Sequence, residues 1–447
     1  MDISTIGIYG FCAVFILLAL RVPIAFTLVS VATVCTLVAY SWRPGTEFDL
    51  DRGFRPALGL IQSNAYEFLH SYELSMVPMF ILAGHLAFHS KVTTKIYFAV
   101  RIWLAQVPGG LAVASLIGCG GFSAITGSSM ACASSMGKIC VPEMLKYKYS
   151  PQLSTASVAV GGTLGALIPP SVLFIIYGLF TETSVSRLFL AGVLPGLLSL
   201  LGYIITVVIW VKLRPDVAPK VAEDLGIGER LMALLQAWPA FVLMGTIIGG
   251  IYGGIFTATE AAAISVAFML FYGLVWRTLS FGDILLSLRE TAAQTAALFL
   301  IAVGAKIFVS FVSLSGVTRD FADFIANSGF SDWFILLCIV LLYLVMGMFL
   351  DPLGTMLLTL PFLVPLVENM GLDLIWFGVI VVKLLEIGLI SPPVGLNVFV
   401  INSVVTREIQ VHTIFFGVAK FLVGDLIVLG LLVTFPMISL LLPTTMF

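Results

Sequence analysis

Two stretches, GGTLGALIPPS at residues 161–171 and EIGLISPPVGLN at 386–397, decide the fold, because each places adjacent prolines inside a long apolar segment (151–181 and 374–402). A Pro-Pro step removes two backbone donors, frees carbonyl groups one turn earlier and disfavours helix at the preceding residue. In hydrocarbon, such non-helical backbone persists only where it lines protein or a water-filled cavity. We therefore expect two broken membrane helices whose breaks face an internal site, with a simple kink as the alternative.

The composition of the chain is that of a membrane protein. Of its 447 residues, 60% are hydrophobic and 10% are charged, whereas soluble proteins carry about 25% charged residues. The first apolar stretch lacks the basic start and cleavage site of a signal peptide, so we expect it to be retained. Full spans, each long enough to cross a bilayer, are predicted near 4–20, 22–40, 73–89, 151–181, 188–211, 231–255, 259–276, 291–315, 374–402 and 413–440.

Several classes of protein are excluded by what the sequence lacks. The net charge is −2 and no basic stripe is present, so a nucleic-acid partner is not expected. The six cysteines form no CxxC pair with metal-ligand spacing and are assigned to packing. No Ser/Lys or His/Asp arrangement falls in register across one pocket, so the chain is not expected to be an enzyme. Membrane lipid is the surrounding solvent of such a chain.

Two further segments are too short for two full crossings and are expected to form re-entrant hairpins. Residues 109–145 lie between two basic clusters, and their centre, TGSSMACASS (126–135), is small and polar. Two spans of about 20 residues plus a turn would need more chain. Residues 331–366 follow the same pattern from the other side of the membrane, with Asp351-Pro352 at their centre.

An internal repeat relates the two halves of the chain. The two Pro-Pro steps lie 223 residues apart (392 − 169), and twice 223 is nearly the whole length. At the same offset, Gly165 meets Gly388, Val141 meets Val364, Pro142 meets Pro365 and Ser128 meets Asp351. Each repeat holds an odd number of spans, so the second must be inverted. We expect an all-α polytopic membrane protein of two inverted-topology repeats, 1–223 and 224–447, each with five spans plus one re-entrant hairpin. Chance similarity between two apolar, glycine-rich halves is the alternative.

The hairpin tips carry oxygen atoms that suit a cation. These are contributed by Thr126, Gly127, Ser128 and Ser129 in the first tip and by Asp351, Gly354 and Thr355 in the second. A carboxylate at bilayer depth costs about 2.5–3.5 kcal/mol on insertion scales, and a bound cation offsets that cost. Asp351 is also a good N-cap for a helix that starts at Pro352, and capping is compatible with ligation.

The two breaks add complementary chemistry. Carbonyl groups freed before each Pro-Pro step suit a hard cation such as Na⁺. The helix that restarts after the break points its amino end, with a partial positive charge, at the same space. Ser171 and Asn397 stand at these points and are predicted to contact an anion.

Other polar residues in apolar segments give weaker signals. Lys383 and Glu386 are spaced to form an intramembrane ion pair, either structural or on a substrate pathway. Lys306 and Asp425 are functional by default or anchor their spans at an interface. The segment 42–72 is predicted to be amphipathic and interfacial, against the membrane or a partner subunit.

One histidine pair has a metal-ligand spacing. His85 and His89 lie at i,i+4 on one helical face. No third ligand is near them in the sequence, so we predict a solvated face rather than a metal site.

Basic residues in short loops set the orientation of the spans. The cytoplasmic set is Arg21, Lys91, Lys95, Arg101, Lys146, Lys148, Lys212, Arg214, Lys220, Arg230, Arg277, Arg289 and Arg407, whereas Arg43, Arg52, Arg55, Arg187 and Arg319 fall outside. Both termini are therefore predicted to be periplasmic.

The combined motifs identify a family resemblance that covers nearly the whole chain. VPMFILAG (77–84), GSSMA (127–131), GALIPPS (165–171), MFLDPLGT (348–355) and GLISPPVGLN (388–397) resemble the large membrane subunit of tripartite ATP-independent periplasmic (TRAP) transporters, dicarboxylate (DctM-like) type. Any one of these motifs alone would be weak, but their combination is specific.

The resemblance implies an elevator-type secondary transporter of the bacterial inner membrane, with a moving transport domain and a fixed scaffold. It implies uptake of a small organic acid anion (a C4-dicarboxylate, keto acid, sugar acid or sialic acid) with Na⁺ as coupling ion. Its partners would be a separate small four-helix membrane subunit and a periplasmic substrate-binding protein. The implied sodium-binding residues are Thr126, Ser128, Ser129, Gly165, Ile168, Asp351, Gly354, Thr355, Gly388 and Ser391, and the substrate-binding residues are Pro170, Ser171, Gly395 and Asn397.

Two other transporter classes fit the sequence less well. A stand-alone sodium/dicarboxylate symporter of the divalent-anion family shares the hairpin plan, but its tips would carry Ser-Asn-Thr, whereas these carry Gly-Ser-Ser and Asp-Pro-Leu-Gly-Thr. An ABC-importer permease needs a cytoplasmic loop that couples to an ATPase, and the loop 212–230 shows no such motif.

Overall fold

The computed structural model describes residues 3–42, 47–219, 226–405 and 409–446, and this part of the chain is helical and contains no strand. Arg43, Lys220 and Arg407, which were used to orient the spans, lie outside the described residues. The predicted all-helical class is confirmed.

The first half of the chain forms ten α-helices, with short 3₁₀ turns at Tyr72–Ser75 and Pro215–Val217. The helices are α1 (Ile3–Ala19), α2 (Ile24–Ser41), α3 (Leu50–Leu69), α4 (Met76–His89), α5 (Val92–Leu104), α6 (Gly110–Thr126), α7 (Ser129–Lys146), α8 (Pro151–Leu167), α9 (Val172–Thr181) and α10 (Val185–Leu213).

The second half continues with twelve elements, and a π-helical segment at Gly245–Gly249 lies between α12 and α13. They are α11 (Ile227–Gln236), α12 (Trp238–Met244), α13 (Gly250–Tyr252), α14 (Ala258–Val275), α15 (Phe281–Ser315), α16 (Val317–Ala326), α17 (Asp332–Gly347), α18 (Pro352–Asn369), α19 (Leu374–Ile390), α20 (Leu396–Val404), α21 (Val411–Thr434) and α22 (Met437–Met446).

Within the described ranges, seven helices are long and apolar enough to cross a membrane, or eight if the pair 227–236 and 238–252, bent by 48°, counts as one. Three spans differ from prediction, and the one expected at 231–255 is the bent pair, which begins at Ile227 and breaks at Ala237. The span expected at 291–315 begins ten residues earlier, because Ser280 and Asp283 form a capping box that starts α15 at Phe281. The span expected at 413–440 divides at Phe435, before Pro436, into α21 and α22.

Two pairs of helices have bounds related by the offset of 223 residues. Helix α7 shifted by this number coincides with α18, and α8 coincides with α19. The residues that precede α7 and α18 cap these helices with their side chains. Ser128 caps α7 by accepting from the amide of Ala131 at 3.4 Å, and Asp351 caps α18 by accepting from the amide of Gly354 at 2.9 Å.

The two broken helices occupy the centre of the molecule. The apolar window of the α8–α9 segment is completely buried, and every residue of α19 from Ile375 to Ile390 is buried. Helices α8 and α19 pack against each other, and each packs against a hairpin, α6–α7 or α17–α18. Both Pro-Pro peptide bonds are cis. The first break, 168–171, is buried throughout, whereas Pro392 and Pro393 of the second break are exposed and only the flanking Ser391 and Gly395 are buried.

Candidate functional site

The first hairpin tip lies directly against the first break. The amide of Val172 donates to the carbonyl oxygen of Gly127 at 3.3 Å. Gly127 has φ +61, and a Cβ there would lie 2.5 Å from the carbonyl oxygen of Pro170. Only glycine meets both demands, since side chains disfavour this conformation and no space remains for one.

Ser128, Ser129 and Gly165 are brought together at this contact. A Cβ on Gly165 would lie 2.9 Å from the carbonyl carbon and oxygen of Ser128. The hydroxyl of Ser129 donates to the carbonyl oxygen of Thr163 at 3.5 Å, across from the hairpin to α8. The first tip therefore touches the backbone of the broken helix without intervening side chains.

The second tip holds two oxygen groups with unfilled bonding capacity. Asp351 is half-buried, and none of the described residues forms an ion pair with it. The hydroxyl oxygen of Thr355 is fully buried and has no hydrogen-bond partner among the described residues. Gly388 of the broken helix packs on Gly347, and a Cβ at 388 would lie 2.7 Å from the Cα of that residue.

One cavity of about 100 Å³ connects the two tips, and we call it the tip cavity. Gly127, Ser128 and Ser129 line it from the first tip, and Asp351, Pro352 and Leu353 line it from the second. Gln294 of α15 and Leu389 of α19 also line this cavity. Oxygen-bearing residues from both halves of the chain thus line one cavity.

A second cavity of about 200 Å³ adjoins the first tip, and we call it the vestibule. Ser128 and Gln294 line both spaces. The remaining polar lining of the vestibule is Thr126, Ser134, Ser135 and Lys138 of the first hairpin with His85 and Glu290 of α4 and α15. The vestibule therefore combines hydroxyl donors with one ammonium group, of Lys138, and one carboxylate, of Glu290.

The predicted substrate-binding residues do not line either cavity. Ser171 caps α9 by accepting from Phe174 and donates to the carbonyl oxygen of Ala166, which occupies its hydroxyl. Pro170 faces Gly127 through its carbonyl group, and Gly395 has φ +56 at the start of α20. Ser171, Pro170 and Gly395 therefore have structural roles at the breaks.

Asn397 differs from the other three predicted substrate residues because one of its polar atoms has no partner. Its amide nitrogen donates to the carbonyl oxygen of Ala159 at 3.3 Å, whereas its buried Oδ1 has no partner among the described residues.

Two of the predicted sodium ligands take part in ordinary helical bonds, since the amide of Ile168 donates to Leu164 and the hydroxyl of Ser391 donates to Ile387.

A buried charge network lies behind the second break. The predicted Lys383–Glu386 ion pair is confirmed at 3.5 Å. Lys383 also contacts Asp425 of α21 at 2.6 Å and donates to Ser199 at 3.0 Å. The hydroxyl of Tyr203 donates to the same oxygen of Asp425 at 2.7 Å. All of these side chains are buried, so Asp425 is a partner of Lys383 rather than an interfacial anchor.

The prediction that His85 and His89 lack a third ligand was wrong. The Oε2 atom of Glu290 lies 3.1 Å from Nδ1 of His85 and 3.0 Å from Nε2 of His89. Glu290 stands on α15, 201 residues beyond His89 in sequence. No local pattern revealed it, because the contact depends on how α4 packs against α15.

Three lining residues were missed by sequence reasoning. Gln294 is a polar side chain within a long apolar span, and that isolation was a usable signal. Lys138 follows the polar tip of the first hairpin by ten residues. Glu290 is next to Arg289 in the sequence, and no local pattern distinguishes it.

Membrane-length apolar helices that enclose polar cavities are the arrangement of a multi-pass membrane transport protein. Residues 11–438 match the family model described as the tripartite ATP-independent periplasmic transporter, DctM component, and the chain belongs to this family. The resemblance stated from the motifs is thereby confirmed. The chain is a TRAP transporter large permease, a multi-pass protein of the bacterial inner membrane, in a family of permeases rather than enzymes.

Two relatives of the chain are named for the substrates that they transport. The chain is 35% identical to the C4-dicarboxylate TRAP transporter large permease protein DctM of Pseudomonas aeruginosa, over 76% of this chain and 79% of that protein. It is 34% identical to the sialic acid TRAP transporter large permease protein SiaM of Vibrio cholerae, over 84% of this chain and 87% of that protein.

The fold also resembles a solved transporter. The crystal structure of the Alcanivorax borkumensis YdaH transporter superposes with a TM-score of 0.61, at 15% identity, and covers 99% of this chain and 98% of its own. At this identity the likeness concerns the fold alone.

Proposed function

We propose that the chain is the permease of a sodium-coupled transporter that imports a small organic acid anion. A tripartite family implies two further components, and we assign them as a small four-helix membrane subunit and a periplasmic substrate-binding protein. The two relatives above are named for a C4-dicarboxylate and for sialic acid, which both carry carboxylate groups. The class of substrate proposed here is therefore a carboxylate.

The observation that carries the sodium proposal is the tip cavity. Ser128 and Ser129 face Asp351 across it, and hydroxyl, carbonyl and carboxylate oxygens are the ligands that hard cations prefer. The carboxylate of Asp351 has no described cationic partner, and the hydroxyl of Thr355 behind it is unpartnered. A bound Na⁺ would offset the cost of placing the half-buried carboxylate of Asp351 at membrane depth.

Asn397 is better suited to a cation than to the substrate anion proposed for it from sequence. Its unpartnered atom is the carbonyl oxygen, an acceptor that repels a carboxylate, while its amide group already donates to Ala159. The break beside it supplies carbonyl groups of the same polarity. We propose that Asn397 supports cation binding at the second break together with the backbone at Gly388–Ser391.

The vestibule is proposed as the substrate path. Its hydroxyl groups, Thr126, Ser128, Ser134 and Ser135, donate hydrogen bonds to carboxylate oxygens. Lys138 supplies the opposite charge at the same wall. Because Ser128 belongs to both spaces, a substrate there would lie next to a sodium ion in the tip cavity, which is the geometry that coupled binding requires.

The repeat and the elevator mechanism remain proposals supported by helix positions. Helices α7 and α8 have the same bounds as α18 and α19 after the shift of 223 residues. Two inverted halves provide two equivalent exits from one site. We propose that the hairpins and broken helices move together against a scaffold that includes α2, α4, α14 and α15, with both termini periplasmic.

Component omission tests this function against the stand-alone sodium/dicarboxylate symporter, which the family match disfavours. Reconstituted into liposomes under an inward sodium gradient, the permease should take up substrate only with its small subunit and loaded binding protein. Uptake of free substrate by the permease alone, at the rate of the full system, would overturn the tripartite assignment.

A further inference from the structure

Two histidines and a glutamate form a compact cluster of potential metal ligands. His85 and His89 project from one face of α4, one turn apart, and Glu290 projects from α15. One nitrogen from each ring and one carboxylate oxygen lie within 4.8 Å of one another. Both histidines contact the same Oε2 atom, at 3.1 and 3.0 Å. The cluster is built from two helices rather than from one exposed loop.

The ring of His85 is oriented from both sides. Its Nδ1 faces Glu290, and its Nε2 lies 3.3 Å from the side-chain oxygen of Gln294, one turn further along α15. Metal-bound histidines typically donate their second ring N–H to such an outer partner, which fixes the tautomer and the ring orientation. The cluster therefore has the supporting contact of a ligand set as well as the ligands.

The distances suit a small divalent ion. Bonds of about 2.0–2.2 Å in a tetrahedral arrangement place neighbouring ligand atoms about 3.3 Å apart. The two histidine–glutamate distances are already close to that value, and small side-chain rotations bring the two imidazoles to the same spacing. His85 and His89 have side chains 21% and 14% exposed, and Glu290 is 40% exposed, so an ion can enter from the vestibule.

We propose that His85, His89 and Glu290 form a binding site for a divalent transition metal of the Zn²⁺ class, on the wall of the vestibule. Two imidazoles and one carboxylate are a zinc donor set, whereas Na⁺ and Mg²⁺ prefer oxygen ligands alone. The site is separate from the sodium ligands assigned above, which lie at the tips and breaks. A bound ion links α4 to α15 and places a positive charge beside the substrate path.

A simple ion pair between Glu290 and a protonated histidine is the competing account. It explains either short distance, but an ion pair binds no metal and needs only one of the two histidines. Lys138 lines the same vestibule and opposes cation binding, so the affinity for metal has to come from direct ligation. Metal titration separates these two accounts.

The experiment uses the purified full-length chain, freed of metal, and titrates it with Zn²⁺ in competition with a chromogenic chelator. A parallel titration with Co²⁺ follows the visible absorption of a tetrahedral N/O site. His89→Gln and Glu290→Gln each remove one ligand. The matched control is His412→Gln, which removes an exposed histidine on α21. The thermal midpoint without metal reports whether each variant is folded.

One Zn²⁺ per chain is expected for the native protein and for His412→Gln, with Co²⁺ bands of tetrahedral intensity. Losing a ligand should weaken binding at least as much as losing an outer-shell partner, which costs about 10–100-fold. Absence of saturable binding by the native chain, or equal affinity of all three variants and the native chain, overturns the proposal. If His89→Gln does not fold, Glu290→Gln decides, because its side chain is the most exposed of the three.

Discussion

Ser128 and Asp351, 223 residues apart in the chain, line the same cavity from opposite hairpin tips. Each caps the second helix of its hairpin, Ser128 through the amide of Ala131 and Asp351 through that of Gly354. The two tips therefore have similar geometry but different charge, because Ser128 is neutral and Asp351 is a carboxylate. Under the proposed function, this difference makes Asp351 the strongest candidate ligand for a cation in the tip cavity.

Asp351→Asn is therefore expected to abolish coupling and to preserve folding. Asparagine caps helices about as well as aspartate, so the thermal midpoint should remain near the native value. Hydrogen bonds and contacts to a charged group contribute about 1.5–3 kcal/mol, so sodium-dependent uptake should fall by about tenfold or more. The measurement is initial uptake rate against sodium concentration in proteoliposomes.

Asp373→Asn provides the matched control for this substitution. Asp373 caps α19 by accepting from the amides of Ile375 and Trp376 at 2.7 and 3.2 Å, and it lines neither cavity. Its variant should transport normally. Near-native uptake with unchanged sodium dependence in Asp351→Asn would show that Asp351 is only a helix cap.

The close approach of the first tip to the first break can be tested at Gly127. Alanine at a positive φ costs about 1–2 kcal/mol, and overlap with the carbonyl of Pro170 adds typically 1–3 kcal/mol. Gly329→Ala carries the first cost alone, because Gly329 has φ +72 and no atom within 4 Å of an added Cβ.

We expect Gly127→Ala to lower the thermal midpoint more than Gly329→Ala and to reduce uptake, whereas Gly329→Ala should retain uptake. Equal midpoints and equal uptake for the two alanine variants would mean that the tip does not rest on the break in the membrane.

The buried charge network predicts a non-additive pair of substitutions. Lys383→Met leaves Asp425 and Glu386 without their cation, and breaking a buried pair costs about 3–5 kcal/mol. Adding Asp425→Asn removes one of the stranded charges, so the double variant should be more stable than Lys383→Met alone. The ammonium of Lys420 lies 3.7 Å from the centroid of the Trp210 ring, near the surface. Lys420→Met should therefore lower the free energy of unfolding by only about 0.5–1 kcal/mol.

Unfolding in detergent measures these differences. A double variant that is less stable than either single variant would contradict the pairing of Lys383 with Asp425.

Local sequence features were enough to predict much of this fold. Proline pairs, apolar lengths and capping residues act within a few positions, so the membrane class, the family and the broken segments were predictable from the motifs. The repeat offset alone predicts that Ser128 and Asp351 occupy equivalent positions.

Contacts between distant helices were not predictable in the same way. The approach of Glu290 to His85 and His89 depends on the packing of α4 on α15, and that of Lys383 to Asp425 depends on the packing of α19 on α21. Long-range packing of apolar faces leaves no local periodic signal. Polar residues isolated in apolar spans, such as Gln294, are the best sequence indicators of where such contacts occur.

Movement of the first tip relative to the scaffold is tested by thiol labelling. Ser129→Cys and Thr246→Cys are placed on a background without the six native cysteines and probed with a membrane-impermeant reagent from each side. An elevator predicts that labelling at position 129 changes with Na⁺, because the tip changes depth, and that labelling at 246 does not. Labelling at 129 from one side only, equal in every condition, would indicate a fixed site with local gates.

Replacement of sodium tests the central claim most directly. Proteoliposomes contain the permease and its small subunit, and receive binding protein loaded with substrate. An inward sodium gradient without ATP should drive accumulation of substrate, and choline or K⁺ in place of Na⁺ on both sides should abolish it. Accumulation that proceeds unchanged without sodium would contradict the assignment of the tip cavity as a sodium site and the coupling mechanism built on it.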